Sequence, residues 1–325
     1  MTDVASSSRS HASAVPAPNS GAGHRPGRGR PTRSSGHRGD RRGLWAAILL
    51  APNLSVFTVF VIVPALLAFG LSFFEWDLTS DAKWVGLENY LRFLGDERAL
   101  TSLRLTAILM ATTAIPIVFL GFVIAIGVNV PTRWMRVVRT LYFMPIVISF
   151  VASAVLWRFL YDPTYGLINT TLSLMGIEGP EWLFSPTWAP AAVAIVVIWL
   201  NIPTAVIFYL AALQQIPHER IEAAHLDGAG AWSRARHILW PGVRQQTFFV
   251  SVVTTLHVLY QTFDIVSVMT QGGPLRSTEV FIYYLYETAF RSFDIGYASA
   301  LATVLFICIA ALTFLVYRPQ LKENE

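Results

Sequence analysis

Thr254, His257, Gln261 and Asp264 interrupt an apolar stretch at intervals of three, four and three residues. On a helix of 3.6 residues per turn that spacing brings all four to one face. Tyr260 and Phe263 lie alongside, so the face mixes hydrogen-bonding groups with aromatic surfaces, as a hydroxyl-rich ligand requires. Asn201, between Trp199 and Pro203, is a further candidate. A proline at 203 has no N–H to give to the carbonyl four residues back, and so frees the carbonyl of Trp199. Plainer roles stand beside these readings. Asp264 can anchor the outer loop containing Gly272, Gly273 and Pro274; Thr254 can bond back to its own helix; and His257 can be a satisfied interior histidine.

Other chemistries lack their residues. Lys83 is followed by Trp84 and Lys322 by Glu323, so neither is the lysine of a G-x-x-x-x-G-K-[ST] phosphate loop. No H-E-x-x-H pattern occurs. His218 and His225 are seven apart with no third ligand, a poor zinc set. The one cysteine, Cys308, lies in an apolar run, which excludes disulfides and cysteine metal sites. Asp264 is the one acid in the apolar segments, too few for the buried relay that a proton- or sodium-driven carrier needs. The chain is expected to bind no cofactor of its own.

A second informative segment runs from Leu213 to Trp240. Pro217 suits the first position of a helix, with Glu219 and Glu222 near its positive end. Asp227 and Gly228 supply the stop, glycine taking the left-handed cap geometry. The spacing predicts a capped helix of two to three turns beside the membrane, thin at Ala223 and Ala224. A second helical stretch, Ala231–Trp240, follows and meets Pro241.

These segments must be held by something that lives in lipid. Of 325 residues, 54% are hydrophobic and 14% charged, and mean hydropathy is +0.51; a soluble domain carries roughly 25% charged residues. About 20 apolar residues make a membrane span. Six segments qualify: 44–74, 104–129, 137–160, 188–213, 245–270 and 296–317. The first is far longer than the 7–15 apolar residues of a secretory signal and is expected to remain as an anchor. Pro52, Pro64, Pro116, Pro145 and Pro203 fall within spans and are expected to bend them. Residues 1–43 hold eight arginines against two aspartates in a Ser/Gly/Pro-rich setting, a disordered cytoplasmic tail by composition. That tail accounts for the pI of about 9.3 without any nucleic acid, and it can set topology or touch anionic membrane lipid. With the N-terminus inside, 17 of the 24 Lys and Arg fall on the cytoplasmic side. The positive-inside rule therefore puts both termini, the 214–244 loop and the 319–325 tail in the cytoplasm of a multi-pass cell-membrane protein.

The loop residues Glu222, Ala223, Ala224, Asp227, Gly228 and Ala229, followed by Trp232, Ile238 and Pro241, resemble the EAA loop of the permease subunits of binding-protein-dependent ABC importers, the MetI-like transmembrane family. Ala235 stands where a Phe is usual, a departure that bears on how the loop packs against the ATPase, and Trp240 stands where a Leu is usual. Val85–Tyr90, Arg139–Pro145, Tyr161–Asn169 and Phe263–Pro274 extend the resemblance over nearly all of 44–318, toward the maltose-system F-type permease. The resemblance implies an all-α type I permease core without catalytic residues, moving a sugar or oligosaccharide inward. A polyol or glycerophosphodiester is the alternative solute. It also implies a G-type permease, a cytoplasmic ABC ATPase dimer using ATP and magnesium, and an extracytoplasmic sugar-binding protein as partners. In that family the short loop helix couples permease to ATPase. Asn201, His257, Tyr260, Gln261 and Asp264 are the expected substrate-pathway residues.

Overall fold

A computed structural model describes residues 39–130 and 132–321. Most of the expected tail, 1–43, and the end of 319–325 lie outside the described residues. The chain divides into two units at the Phe57–Thr58 junction. The first contributes one helix, α1 (Gly39–Phe57).

In the second unit a π turn, Thr58–Ile62, leads into α2 (Val63–Leu71). A two-stranded antiparallel hairpin follows, β1 (Phe74–Glu75) against β2 (Lys83–Trp84), with Phe74 opposite Trp84. It is a small exception to the all-α expectation. Then come α3 (Glu88–Gly95), α4 (Glu97–Val128), α5 (Arg133–Phe143), α6 (Phe150–Leu160), α7 (Leu167–Leu174) and α8 (Ala189–Leu213). The loop segment gives α9 (His218–Leu226), α10 (Ala231–Arg234) and α11 (Trp240–Gly242). The chain closes with α12 (Arg244–Met269), α13 (Phe281–Phe290) and α14 (Ile295–Leu321).

Five stretches are long and apolar enough to cross a membrane: Ile48–Leu71, α4, α8, α12 and Ile295–Phe314. The third expected span, 137–160, needs correction. It is two helices, α5 and α6, meeting at 104°. Pro145 sits in a short 3-10 turn, Met144–Val147, after which Ile148 is extended (ψ 134°) and Ser149 caps a new helix by accepting from the Ala152 N–H. Counted as one broken span, the pair brings the total to six. Pro116 and Pro203 lie inside continuous helices, as membrane helices tolerate where neighbouring groups can take up the freed carbonyls.

The core is the seam between α4 and α8, with α12 and α6 against it. Gly121 of α4 approaches Ala205 and Tyr209 of α8, while Leu109 of α4 and Val193 of α8 line one groove nearer the helix starts. The two helices therefore run parallel. Asn201 meeting Gln261, with Phe208 beside Phe249, makes α12 antiparallel to them. Small residues at such seams allow the close backbone approach on which helix association in lipid depends.

At the opposite end from the loop helix, a polar cluster missed by the span reading ties four elements together. Asp96 caps α4, accepting from the Arg98 and Ala99 N–H groups at 2.9 and 3.1 Å. Its other oxygen accepts from the hydroxyls of Tyr284 and Tyr297, each at 2.6 Å. Arg98 pairs with the buried Glu279 and with Glu287, and Arg92 pairs with Asp294 at 2.7 Å. Partial burial alone would raise the Asp96 carboxyl, but the two tyrosine hydroxyls and two backbone donors outweigh it and hold it below the ordinary aspartate range. Burial, then the carboxylate, pushes Tyr284 up to about 12, so it remains a donor at neutral pH. A carboxylate with a lowered folded pKa stabilises fully above its unfolded value near 4 and loses that stabilisation as pH falls through the folded value. Thermal stability of the wild type is therefore expected to decline from about pH 4 downward. Asp96→Asn should cost about 1–3 kcal/mol at pH 7 and flatten the acid slope; an unchanged slope refutes the assignment.

Candidate functional site

The loop helix forms as its residues require, with one correction at its start. Pro217 is the residue before the helix (φ −56°, ψ 128°) and not its first turn; its carbonyl accepts from the Arg220 N–H at 3.1 Å. At the other end Gly228 has φ +75°. Its N–H donates to the His225 carbonyl at 3.1 Å, and the Ala229 N–H donates to the Ala224 carbonyl at 2.9 Å. That pair of bonds is a Schellman closure, which satisfies carbonyls a helix end otherwise leaves orphaned. Arg234 reaches back across the turn, donating to the Ala229 carbonyl at 3.0 Å and to His225 Nδ1 at 2.9 Å. Sequence reasoning gave Arg234 no role.

Beyond Gly230 the second stretch is helical but wound as a π turn over Ala235–Leu239. Pro241 has no N–H, so the helix loses a donor there, and π turns are a usual response to such a break. Between α9 and the base of α12 lies a cleft of about 970 Å³, bordered by Arg220, Ala223, Ala224, Asp227, Ile238 and Gly242 among others. Ala223 is exposed and Ala224 half-buried, while Glu222 and Asp227 are exposed. The most open large apolar side chains of this segment are Leu226 (88% exposed) and Trp232 (77%). The segment is thus largely exposed, and its end is closed by the two Schellman bonds and by Arg234.

The expected polar face of α12 divides. At 100° per residue Thr254 and Gln261 lie about 20° apart, with His257, Asp264 and Tyr260 fanning out over roughly the next 100°. Thr254 and Gln261 are buried, His257 and Asp264 are half-buried, and Tyr260 is 57% exposed. Asn201 donates to Gln261 Oε1 at 2.7 Å and to its own helix at the Val197 carbonyl at 2.8 Å. The structure thus brings Asn201 and Gln261 together as a lock between α8 and α12. It leaves His257 and Tyr260, with rings 6.4 Å apart, on an open edge with Asp264. The Asp264 carboxylate makes no hydrogen bond or ion pair among the described residues, so it does not anchor the following loop. That loop is closed instead by Thr278, whose hydroxyl donates to the Gly273 carbonyl and meets the Thr270 hydroxyl, both at 2.7 Å. Among the described residues, no group of three or more His, Cys, Asp or Glu could hold a metal ion.

Comparison with known proteins agrees with this arrangement. Residues 102–320 match the family model described as binding-protein-dependent transport system inner membrane component. The chain is 35% identical over 276 residues to the probable ABC transporter permease protein YurN of Bacillus subtilis (strain 168), covering 82% of this chain and 93% of that one. It is 33% identical over 287 residues to the sulfoquinovosyl glycerol transport system permease protein SmoG of Agrobacterium fabrum, covering 86% and 92%. It is 31% identical over 274 residues to an sn-glycerol-3-phosphate transport system permease protein, UgpA of Yersinia pestis, covering 83% and 92%. Among solved structures, a chain of a bacterial ABC transporter that imports the acidic polysaccharide alginate superposes with a TM-score of 0.76 at 21% identity, over 88% of this chain and 98% of that one. The likeness at that identity is one of fold. With the membrane helices, the capped loop and a match over two thirds of its length, the chain belongs to the family of inner-membrane components of binding-protein-dependent transport systems.

Proposed function

We propose that this chain is one permease half of an ABC importer for a sugar or oligosaccharide. In this reading α9 docks on a cytoplasmic ATPase dimer through the segment Glu222–Ala229. A second, G-type permease faces the open edge of α12, and an extracytoplasmic sugar-binding protein delivers solute at the end opposite α9. Both termini are cytoplasmic, and ATP and magnesium are used by the ATPase partner. The observation that carries the reading is the open edge of α12. Tyr260, His257 and Asp264 offer an aromatic face and hydrogen-bonding groups that the described residues leave open or only half covered. The relatives that move sulfoquinovosyl glycerol and sn-glycerol-3-phosphate support a second reading, in which the solute is a glycerol ester or glycoside.

The two edges of α12 should respond differently to substitution. Tyr260→Ala, in the importer assembled with its partners, is expected to cut uptake of the cognate solute at least tenfold while the ATPase stays bound. Gln261→Leu orphans the Asn201 amide, so a loss of about 1–3 kcal/mol in stability is expected, largely relieved when Asn201→Leu is added. A panel of labelled sugars and glycerol phosphodiesters identifies the solute class. Unchanged uptake across that panel in Tyr260→Ala would remove this edge from the pathway.

A further inference from the structure

Helix α5 does not follow the line of α6; it leaves at 104°. Its root is tied to the end of α4, because Arg139 donates to the carbonyl of Val128, the last residue of α4, through Nε at 2.9 Å and through a second guanidinium nitrogen. Since α4 and α8 run parallel and α8 leads into the loop helix, α5 sits at the membrane surface on the α9 side. A helix so placed, turned across the direction of its neighbour, lies along that surface and does not cross it.

The side chains are sorted accordingly. Trp134, Val137 and Leu141 fall within about 60° of one another at 100° per residue, and are 72%, 49% and 68% exposed. Arg133 and Arg136 are exposed on the flank next to Val137, about 40° and 100° round the helix from it, and among the described residues neither guanidinium has an ion-pair or hydrogen-bond partner. Arg139, on the inward side, is occupied by Val128. An apolar stripe with unpaired cations on the polar flank is the pattern of a helix seated at the headgroup–acyl boundary, and tryptophan favours that depth. Hydrocarbon alone leaves the arginines unmatched, and a free anion leaves the stripe in water. One molecule answers both: a phospholipid with a net negative headgroup.

We propose that α5 is an in-plane anchor that binds anionic phospholipid, with Trp134, Val137 and Leu141 among the acyl chains and Arg133 and Arg136 on the phosphate. The site is separate from the solute pathway and from the ATPase contact, and it does not depend on which solute is moved.

The test places an environment-sensitive fluorophore at Leu141→Cys, and separately at Val137→Cys, in a Cys308→Ala chain. The importer is assembled with its partners in bilayers of phosphatidylcholine with about one fifth phosphatidylglycerol. Bromine, a short-range quencher, is carried on the acyl chains of one lipid or the other. A surface arginine favours anionic lipid by about fivefold. Quenching by brominated phosphatidylglycerol should therefore exceed its share of the bilayer several-fold. It should fall to that share in R133Q/R136Q, while quenching by brominated phosphatidylcholine persists. Quenching by phosphatidylglycerol at its mole share in the unsubstituted chain overturns the proposal. So does the absence of quenching by either lipid at both positions, which would mean that protein, such as a second permease, covers the stripe. Uptake measured on the same samples reads the transport function separately.

Discussion

Gly228→Val is expected to give a permease that inserts and pairs with its sister subunit yet neither retains the ATPase nor transports. A Cβ at this position would meet nothing within 4 Å, so the effect is not steric crowding. It comes from the backbone, where φ is +75° and a β-branched residue costs about 1–3 kcal/mol. The strained end can relax only by giving up the bonds from Gly228 to His225 and from Ala229 to Ala224. The last turn of α9 then unwinds. Gly230→Val provides the control, because Gly230 is extended (φ −65°, ψ 167°) and a Cβ there also finds open space. Ala224→Asp should resemble Gly228→Val, since it places a charge without a partner in a contact that closes on docking. Co-purification of the ATPase and solute uptake are the readouts. Wild-type values for both in Gly228→Val and Ala224→Asp would sink the coupling role of α9.

The second large effect is expected at Gly121→Leu. A Cβ on Gly121 would stand 2.7 Å from the Cβ of Ala205 and 3.6 Å from the Tyr209 ring. Even alanine forces α4 from α8, and leucine adds three further carbons at this close approach of the two helices. Overpacking of this kind costs about 1–3 kcal/mol or more, here on the seam that the rest of the bundle is built against. Gly127→Leu sits on the same helix with nothing within 4 Å of its Cβ and should be nearly neutral. The comparison is thermal stability in detergent and the amount of protein in the membrane. Equal behaviour of the two variants would mean that α4 and α8 do not meet at Gly121.

The spans were legible because lipid demands long uniform runs of apolar residues, and composition alone reveals those. The end of α9 was legible because few residues besides glycine take a left-handed backbone, so Gly228 after Asp227 reads as a stop. The bend before α6 was not. A proline within an apolar run specifies either a kink or a break, and neighbouring contacts decide which: Pro116 and Pro203 sit in unbroken helices, Pro145 does not. The Asp96 cluster was also hidden, since Arg92, Arg98, Glu279, Glu287 and Asp294 come from segments up to about 200 residues apart and look like ordinary loop charges. Asp96 itself, placed before Glu97 and the start of a long helix, carried a readable capping signal. For α12 the spacing correctly placed four polar residues on one side. It could not divide that side, because burial depends on where α8 lies.

That division bears on how such a protein changes over generations. Asn201 and Gln261 hold two helices together, and replacing either leaves a buried amide unsatisfied. Tyr260, His257 and Asp264 lie on the same helix yet outside that lock, where substitutions usually alter stability by no more than about 0.5 kcal/mol. Selection can therefore rewrite the open edge of α12 without eroding the scaffold, and a library randomised at 257, 260 and 264 should yield far more inserted, folded variants than one randomised at 201, 254 and 261.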